Sequence, residues 1–189
     1  GSNDSLSLIG SNPFVLESAD LQVEAQSIRV GVGTVVSSDT GSIELVASRN
    51  LEILDSAEVS TIDGDIIFSA NTNGQAAGSF SGVSISVDTL IETRGAGNLL
   101  IKGKGGDDPD SASQFGVSVL GTVRSTSSAA DAGTISIDGT GGSGTRFNYG
   151  VHLFGSSLTS EMGDISILGQ GGFGSDLQNT GVYMLGSVS

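Results

Sequence analysis

Asp39-Thr40-Gly41 follows Val35-Val36 and leads into the apolar run Ile43-Glu44-Leu45-Val46. An aspartate in that setting hydrolyses peptides only as one of two: a second carboxylate shares its proton, and the pair activates a water. The chain holds no second such triplet, so the chemistry would need a homodimer. A turn residue is the plainer reading of Asp39.

Three further constellations carry chemical interest. Asp107, Asp108 and Asp110 form the densest acidic patch and supply the hard oxygen ligands that calcium prefers. The bland alternative is a solvated acidic loop. The stretch GGFGSDLQN at 171–179 approaches the calcium-roll nonapeptide through Gly171, Gly172, Gly174 and Asp176. Gln178, however, stands where that pattern wants a large apolar residue, and the equivalent loop has Arg146 in place of the aspartate. A glycine-rich turn fits better. His152 is the single histidine. The alternation Val151-His152-Leu153 turns it outward, into a column with Ser7, Arg29, Glu52, Ser84, Ser118 and Tyr183 that reads as a solvated face. No catalytic residue is expected.

Composition narrows the field. Seven Lys+Arg stand against 21 Asp+Glu, a formal charge of −14. Such a surface repels phosphate backbones and anionic lipid heads, so nucleic acid and membrane are poor partners. Glycine contributes 30 residues and proline only 2, which points to many tight turns. Cysteine is absent, which excludes disulfides and thiolate metal sites. No apolar run reaches the roughly 20 residues of a membrane helix. Gly1-Ser2 reads as a cloning scar, and no signal peptide is visible.

What must position these residues is a repeat. GVSISVDTLIETRGAGNLLIKGKGG, GVSVLGTVRSTSSAADAGTISIDGTGG and GVHLFGSSLTSEMGDISILGQGG are successive copies, followed by GVYMLGSVS. Alternating apolar pairs mark strands with one buried face. One such column runs Leu6, Ile28, Leu51, Val83, Val117, Val151, Val182, and another Leu21, Ile43, Ile66, Leu99, Ile135, Ile165. A strand-rich unit of about 22 residues, repeated without helices, predicts a parallel β-helix whose strands pair with their equivalents one coil along. The expectation is all-β: a right-handed solenoid of about six and a half coils, roughly 30 Å tall at ~4.8 Å per strand. Leu8, Val30, Ile53, Ile85, Val119, Leu153 and Met184 should form an inward ladder. Some helical spacing in 42–59 is overruled by that register.

The corners carry a pattern of their own. Glycine recurs there, read here as a demand for positive φ. The next residue runs Asp20, Ser42, Asp65, Asn98, Thr134, Asp164, read as side chains that bond their own turn backbone. From the third coil onward one corner gains a loop of about ten residues, giving short coils over 3–68 and looped coils over 69–189 of a single segment. The loops, 69–82, 102–116, 138–150 and 168–181, should stack into a ridge. Each carries an aromatic residue: Phe80, Phe115, Phe147 with Tyr149, and Phe173. The rings either fold inward over the outward apolar residues Ile67 and Leu100 or meet a ligand, in which case Phe115, Phe147, Tyr149 and Phe173 are the binding residues.

GSIELVASRNLEILDSAEVSTIDGDIIFSANTNG resembles the repeat region of filamentous-haemagglutinin-like adhesins. The GVxxxG and GxIxIxGxGG copies are similar to the strand repeats of very large bacterial surface proteins. The resemblance covers essentially the whole chain. It implies a right-handed β-helical shaft, secreted or held at the cell surface, and no catalytic residues. The chain starts and stops in mid-repeat, which suits a piece of a longer array. The function expected is therefore non-enzymatic: a stiff spacer whose ridge binds a neutral glycan or a surface protein, strengthened by calcium if Asp107, Asp108 and Asp110 hold it. The rival is a carbohydrate-active or carbohydrate-binding β-helix, since lyases and hydrolases share this scaffold.

Overall fold

The computed structural model describes residues 4–176 and 178–189, so the scar assigned to Gly1-Ser2 lies outside the described residues. The described chain is all-β, without a helix, and its strands pair in parallel as a β-helix. Three ladders build it.

The first ladder joins β1 (Ser5–Leu8) to the second halves of β3 (Leu21–Val30) and β5 (Ile43–Ile53). It continues through β8 (Val83–Ile85), β11 (Val117–Val119), the start of β15 (Val151–Ser160) and β18 (Val182–Val188). The second ladder runs β2 (Phe14–Val15), β4 (Val35–Ser38), β6 (Glu58–Thr61), β9 (Leu90–Thr93), β12 (Thr122–Ser125) and the end of β15. The third takes the first halves of β3 and β5, then β7 (Ile66–Ala70), β10 (Leu99–Lys104), β13 (Ile135–Thr140) and β16 (Ile165–Gln170).

Register follows hydrophobic alternation, because a slip of one residue would turn every apolar side chain outward. Leu8, Val30, Ile53, Ile85, Val119, Leu153 and Met184 are paired one rung to the next, as the alternation predicts. The Leu21-to-Ile165 column is likewise continuous. Between these walls the interior is solid aliphatic packing, with Phe68 its largest fully buried side chain. On the outermost rungs the same columns open to solvent, as at Leu6, Val182 and Met184.

The corners differ from the sequence expectation in two ways. Gly41, Gly64, Gly97, Gly133 and Gly163 are not among the positive-φ glycines. A Cβ on each would instead run into the backbone carbonyl of the preceding rung: Ala19, Gly41, Gly64, Gly97 and Gly133 respectively. Glycine is needed because backbone stacks directly on backbone. The following polar column also bonds across rungs rather than within its own turn. Ser42 N–H donates to Asp20 Oδ1 (2.8 Å), Asp65 N–H to Ser42 Oγ (3.2 Å), Asn98 N–H to Asp65 Oδ1 (2.8 Å) and Thr134 N–H to Asn98 Oδ1 (3.0 Å). Each short side chain thus satisfies a corner donor that the ladder would otherwise leave unpaired. Asp39 sits at such a corner, exposed, with its N–H on Glu17 O and its carbonyl taken by Ile62 and Asp63 N–H. It has the turn role that the sequence suggests.

Candidate functional site

The inserted loops leave the third ladder and return to the first through narrow necks. Gly103, Gly139 and Gly169 on the outgoing strand face the backbones of Gly116, Gly150 and Gly181 on the return, too close for any Cβ. This contact explains the recurrent Gly-x-Gly-Gly and Gly-Val signatures. Beyond the necks the loops do stack. Ala77 bridges Asp107, Asp107 bridges Ser143, and Ser143-Gly144 (β14) pairs with Phe173-Gly174 (β17), all in parallel. The ridge is a fourth, short ladder.

A column of amides, buried at Gln114 and Asn148 and half-buried at Asn179, closes the loops at their return ends. Gln114 Oε1 accepts Phe80 N–H (2.9 Å), Asn148 Oδ1 accepts Gln114 N–H (3.2 Å) and Asn179 Oδ1 accepts Asn148 N–H (3.1 Å). Asn148 Nδ2 donates to Phe173 O at 2.9 Å. The residue just before each amide takes left-handed backbone: Ser113 (φ 63°), Phe147 (φ 57°) and Gln178 (φ 73°). Sequence reasoning missed this column, although an amide two positions before Gly116, Gly150 and Gly181 was its visible signal.

The aromatic residues separate into two groups. Phe115 and Tyr149 occupy equivalent positions on neighbouring rungs and stack at 5.6 Å with 12° between planes. His152 lies on Phe115 at 4.4 Å, and Tyr183 on Tyr149 at 4.9 Å. The rings therefore cover the first ladder's outward column, through Ser118, His152 and Tyr183, instead of the third ladder, where Leu100 stays 37 % exposed. Tyr149 retains only 5 % exposure. Phe147 meets it edge-on at 6.1 Å, under the Arg146 guanidinium at 5.1 Å. Phe173 is apart from the stack and 81 % exposed.

His152 is thus half-buried in a ring stack, not on the solvated face that alternation suggests. Ser118 Oγ and His152 Nδ1 share a hydrogen bond at 3.2 Å. Ser118 is itself buried, and no carboxylate hydrogen bond to His152 appears among the described residues. Burial holds the His152 pKa below the ordinary imidazole value, and burial, reinforced by Tyr183, raises that of Tyr149. The native stack therefore holds the neutral imidazole. In the unfolded chain the ring protonates more readily. Its contribution to stability is complete above about pH 6.5 and is lost as pH falls through that value towards the lower folded pKa. His152→Phe keeps a ring and removes the titration. Urea unfolding at pH 7.5, 6.5 and 5.5 should show the wild type losing stability relative to this variant toward acid; parallel curves would refute the assignment.

The three acidic candidates are engaged locally. Asp107 Oδ1 accepts Ser143 N–H (2.9 Å), and its Oδ2 pairs with Lys104 Nζ (3.3 Å). Asp108 Oδ2 accepts the Ser111 hydroxyl (2.8 Å) and its Oδ1 the Asp110 N–H (3.2 Å). Asp110 is exposed on that turn. Among the described residues no three His, Asp or Glu side chains gather as a metal site.

Charge elsewhere is paired across rungs. Arg29 grips Glu52 through Nε (2.9 Å) and an Nη (2.6 Å), and Lys102 meets Asp138 at 3.0 Å. Buried Glu92 accepts Arg94 Nε (2.6 Å) and Arg124 Nε (2.7 Å). Arg94 and Glu92 lie two residues apart on one rung; the other pairs are cross-strand partners that lock register.

Comparison with family models, with curated proteins and with solved structures finds no match to this chain.

Proposed function

We propose that this chain is a non-enzymatic, rigid β-helical segment of a large extracellular or cell-surface protein, a shaft whose loop ridge is its adhesive edge. The observation that carries the reading is the stacking of the loops as a fourth parallel ladder on three continuous ones. Loops held this way form a fixed surface along one side of a stiff body, and binding function concentrates on such scaffolded loops. Two further features agree. The aromatic stack lies along the ridge's return side, and the acidic surface does not suit polyanionic partners.

The test has two arms. Solution scattering should give an elongated particle, and surfaces coated with the protein should hold cells or neutral glycans more than albumin-coated ones. Incubation with neutral and acidic polysaccharides, followed by reducing-end and unsaturated-product assays, should yield no turnover. Turnover that vanishes in Asp107→Asn, Asp108→Asn or Asp110→Asn would replace the shaft reading with a carbohydrate-active one.

A further inference from the structure

The aliphatic interior is interrupted at the corner that follows the second ladder. The last residue of each strand there carries a hydroxyl: Ser38, Thr61, Thr93, Ser125 and Ser160, paired one rung to the next. Ser38 Oγ donates to Glu17 O (2.8 Å) and Thr61 Oγ1 to Gly64 O, so corner carbonyls satisfy the first two. Thr93 Oγ1, Ser125 Oγ and Ser160 Oγ are shut off from solvent and have no hydrogen-bond partner among the described residues. We infer that these three hydroxyls bind a file of buried water, one molecule between Thr93 and Ser125 and a second between Ser125 and Ser160.

The spacing of the rungs fits a bridge. Equivalent residues on successive strands lie ~4.8 Å apart, too far for one hydroxyl to bond the next. A water set between them reaches both at about 2.8 Å, with an angle of about 118° between its two bonds. A hydroxyl donates and accepts, so Ser125 donates to one water and accepts from the other. A buried hydroxyl without a partner costs free energy, which such a water recovers.

Corner length supplies the room. Gly64, Gly97 and Gly133 stack backbone on backbone, so they mark one fixed point on three rungs. Only Ile62 and Asp63 separate Thr61 from Gly64, whereas Arg94, Gly95 and Ala96 separate Thr93 from Gly97, and residues 126–132 separate Ser125 from Gly133. Longer chain between the same two points must bow outward, which takes from Thr93 and Ser125 the carbonyl that Thr61 uses. Ser127, inside the longest corner, is buried and accepts Ala129 N–H (3.3 Å), so the widened corner is polar. Polar enclosures of this kind hold water, whereas apolar ones stay dry. The other two partnerless hydroxyls, Thr34 and Ser156, stand singly: Ala57, Gly121 and Gly186 occupy the neighbouring rungs and offer no second hydroxyl.

Crystals of the whole chain diffracting to high resolution should show ordered density between Thr93 and Ser125 and between Ser125 and Ser160; a dry corner overturns the inference. Thermal unfolding reads the same site in solution. Thr93→Val keeps the side chain's shape and removes the hydroxyl, so the midpoint should fall by about 2–4 °C, the shift for one lost hydrogen bond in a chain of this size. Ser125→Ala should fall further, since both waters use Ser125, and the double variant should lose less than the sum of the two. An unchanged or raised midpoint in Thr93→Val, the result for a partnerless hydroxyl exchanged for methyl, overturns the inference, as do strictly additive losses. Thr34→Val controls for the exchange itself and should not fall; a fall equal to that of Thr93→Val would assign the loss to packing and sink the proposal. Should Ser125→Ala fail to fold, Thr93→Val and the wild-type density decide.

Discussion

Gly97→Ala is expected to cost about 3–4 kcal/mol, at or beyond the upper end for overpacked sites, although it adds only one methyl group at a corner. The new Cβ would fall inside contact distance of the Gly64 carbonyl on the preceding rung. Both obstructing atoms are backbone, fixed by ladder bonds on either side: Ile66 N–H to Asn98 O (2.8 Å) and Leu99 N–H to Thr134 O (2.8 Å). No side chain can rotate away, so relief requires the rungs to part. Gly33 supplies the comparison. It has φ 65° with nothing within 4 Å of a built Cβ, so Gly33→Ala should cost about 1 kcal/mol of backbone strain alone. Ala19, first in the Gly97 column, shows the rule by exception: no earlier third-ladder rung faces it among the described residues, and alanine is tolerated there. Urea unfolding of the two variants decides the matter. Equal losses would mean that the corner glycines are chosen for conformation and not for contact.

The same contrast shows what was legible in the sequence. The ladders were readable rung by rung because alternation has a period of two and any slip exposes an entire face. The loop ridge was readable too, since each loop leaves and re-enters at matching residues. What escaped was chemistry acting between rungs. Gly97 looks like a turn glycine until the Gly64 carbonyl is in place, and Asp65 looks like a turn cap until it accepts the Asn98 N–H of the next rung. His152 alternates outward, as expected, but its surroundings come from Phe115 on the preceding rung and Tyr183 on the following one. Such partners lie about 30 residues away, and in a repeat protein the neighbour that matters is one coil along, not one turn along. Of the binding candidates, Phe115 and Tyr149 belong to one stack, Phe147 meets Tyr149 edge-on at the return side of its loop, and Phe173 lies apart and exposed.

Asn148 should be the residue on which the ridge depends most. It is fully buried at a loop root; its Oδ1 accepts Gln114 N–H and its Nδ2 donates to Phe173 O. Asn148→Ala leaves the buried Gln114 N–H without a partner, at about 1–3 kcal/mol, and removes the part-buried bond to Phe173 O, at about 1 kcal/mol. Together they make an expected loss of about 2–4 kcal/mol. The damage should be uneven. Ile66 and Leu99 are held by ladder bonds that do not involve Asn148, whereas the loops over 102–116, 138–150 and 168–181 share the amide column. Hydrogen exchange should therefore accelerate at Gln114 and Gly142 by much more than at Ile66 or Leu99, because regions with fewer cooperative contacts open first. Asn179→Ala serves as control: it removes the acceptor for Asn148 N–H but lies at a more exposed place, so about 1 kcal/mol is expected. A uniform rise in exchange across all ladders would show that loops and shaft unfold as one unit. Faster exchange confined to the loops would show a ridge that is a separate cooperative layer, ordered by buried amides and mounted on a shaft that stands without it.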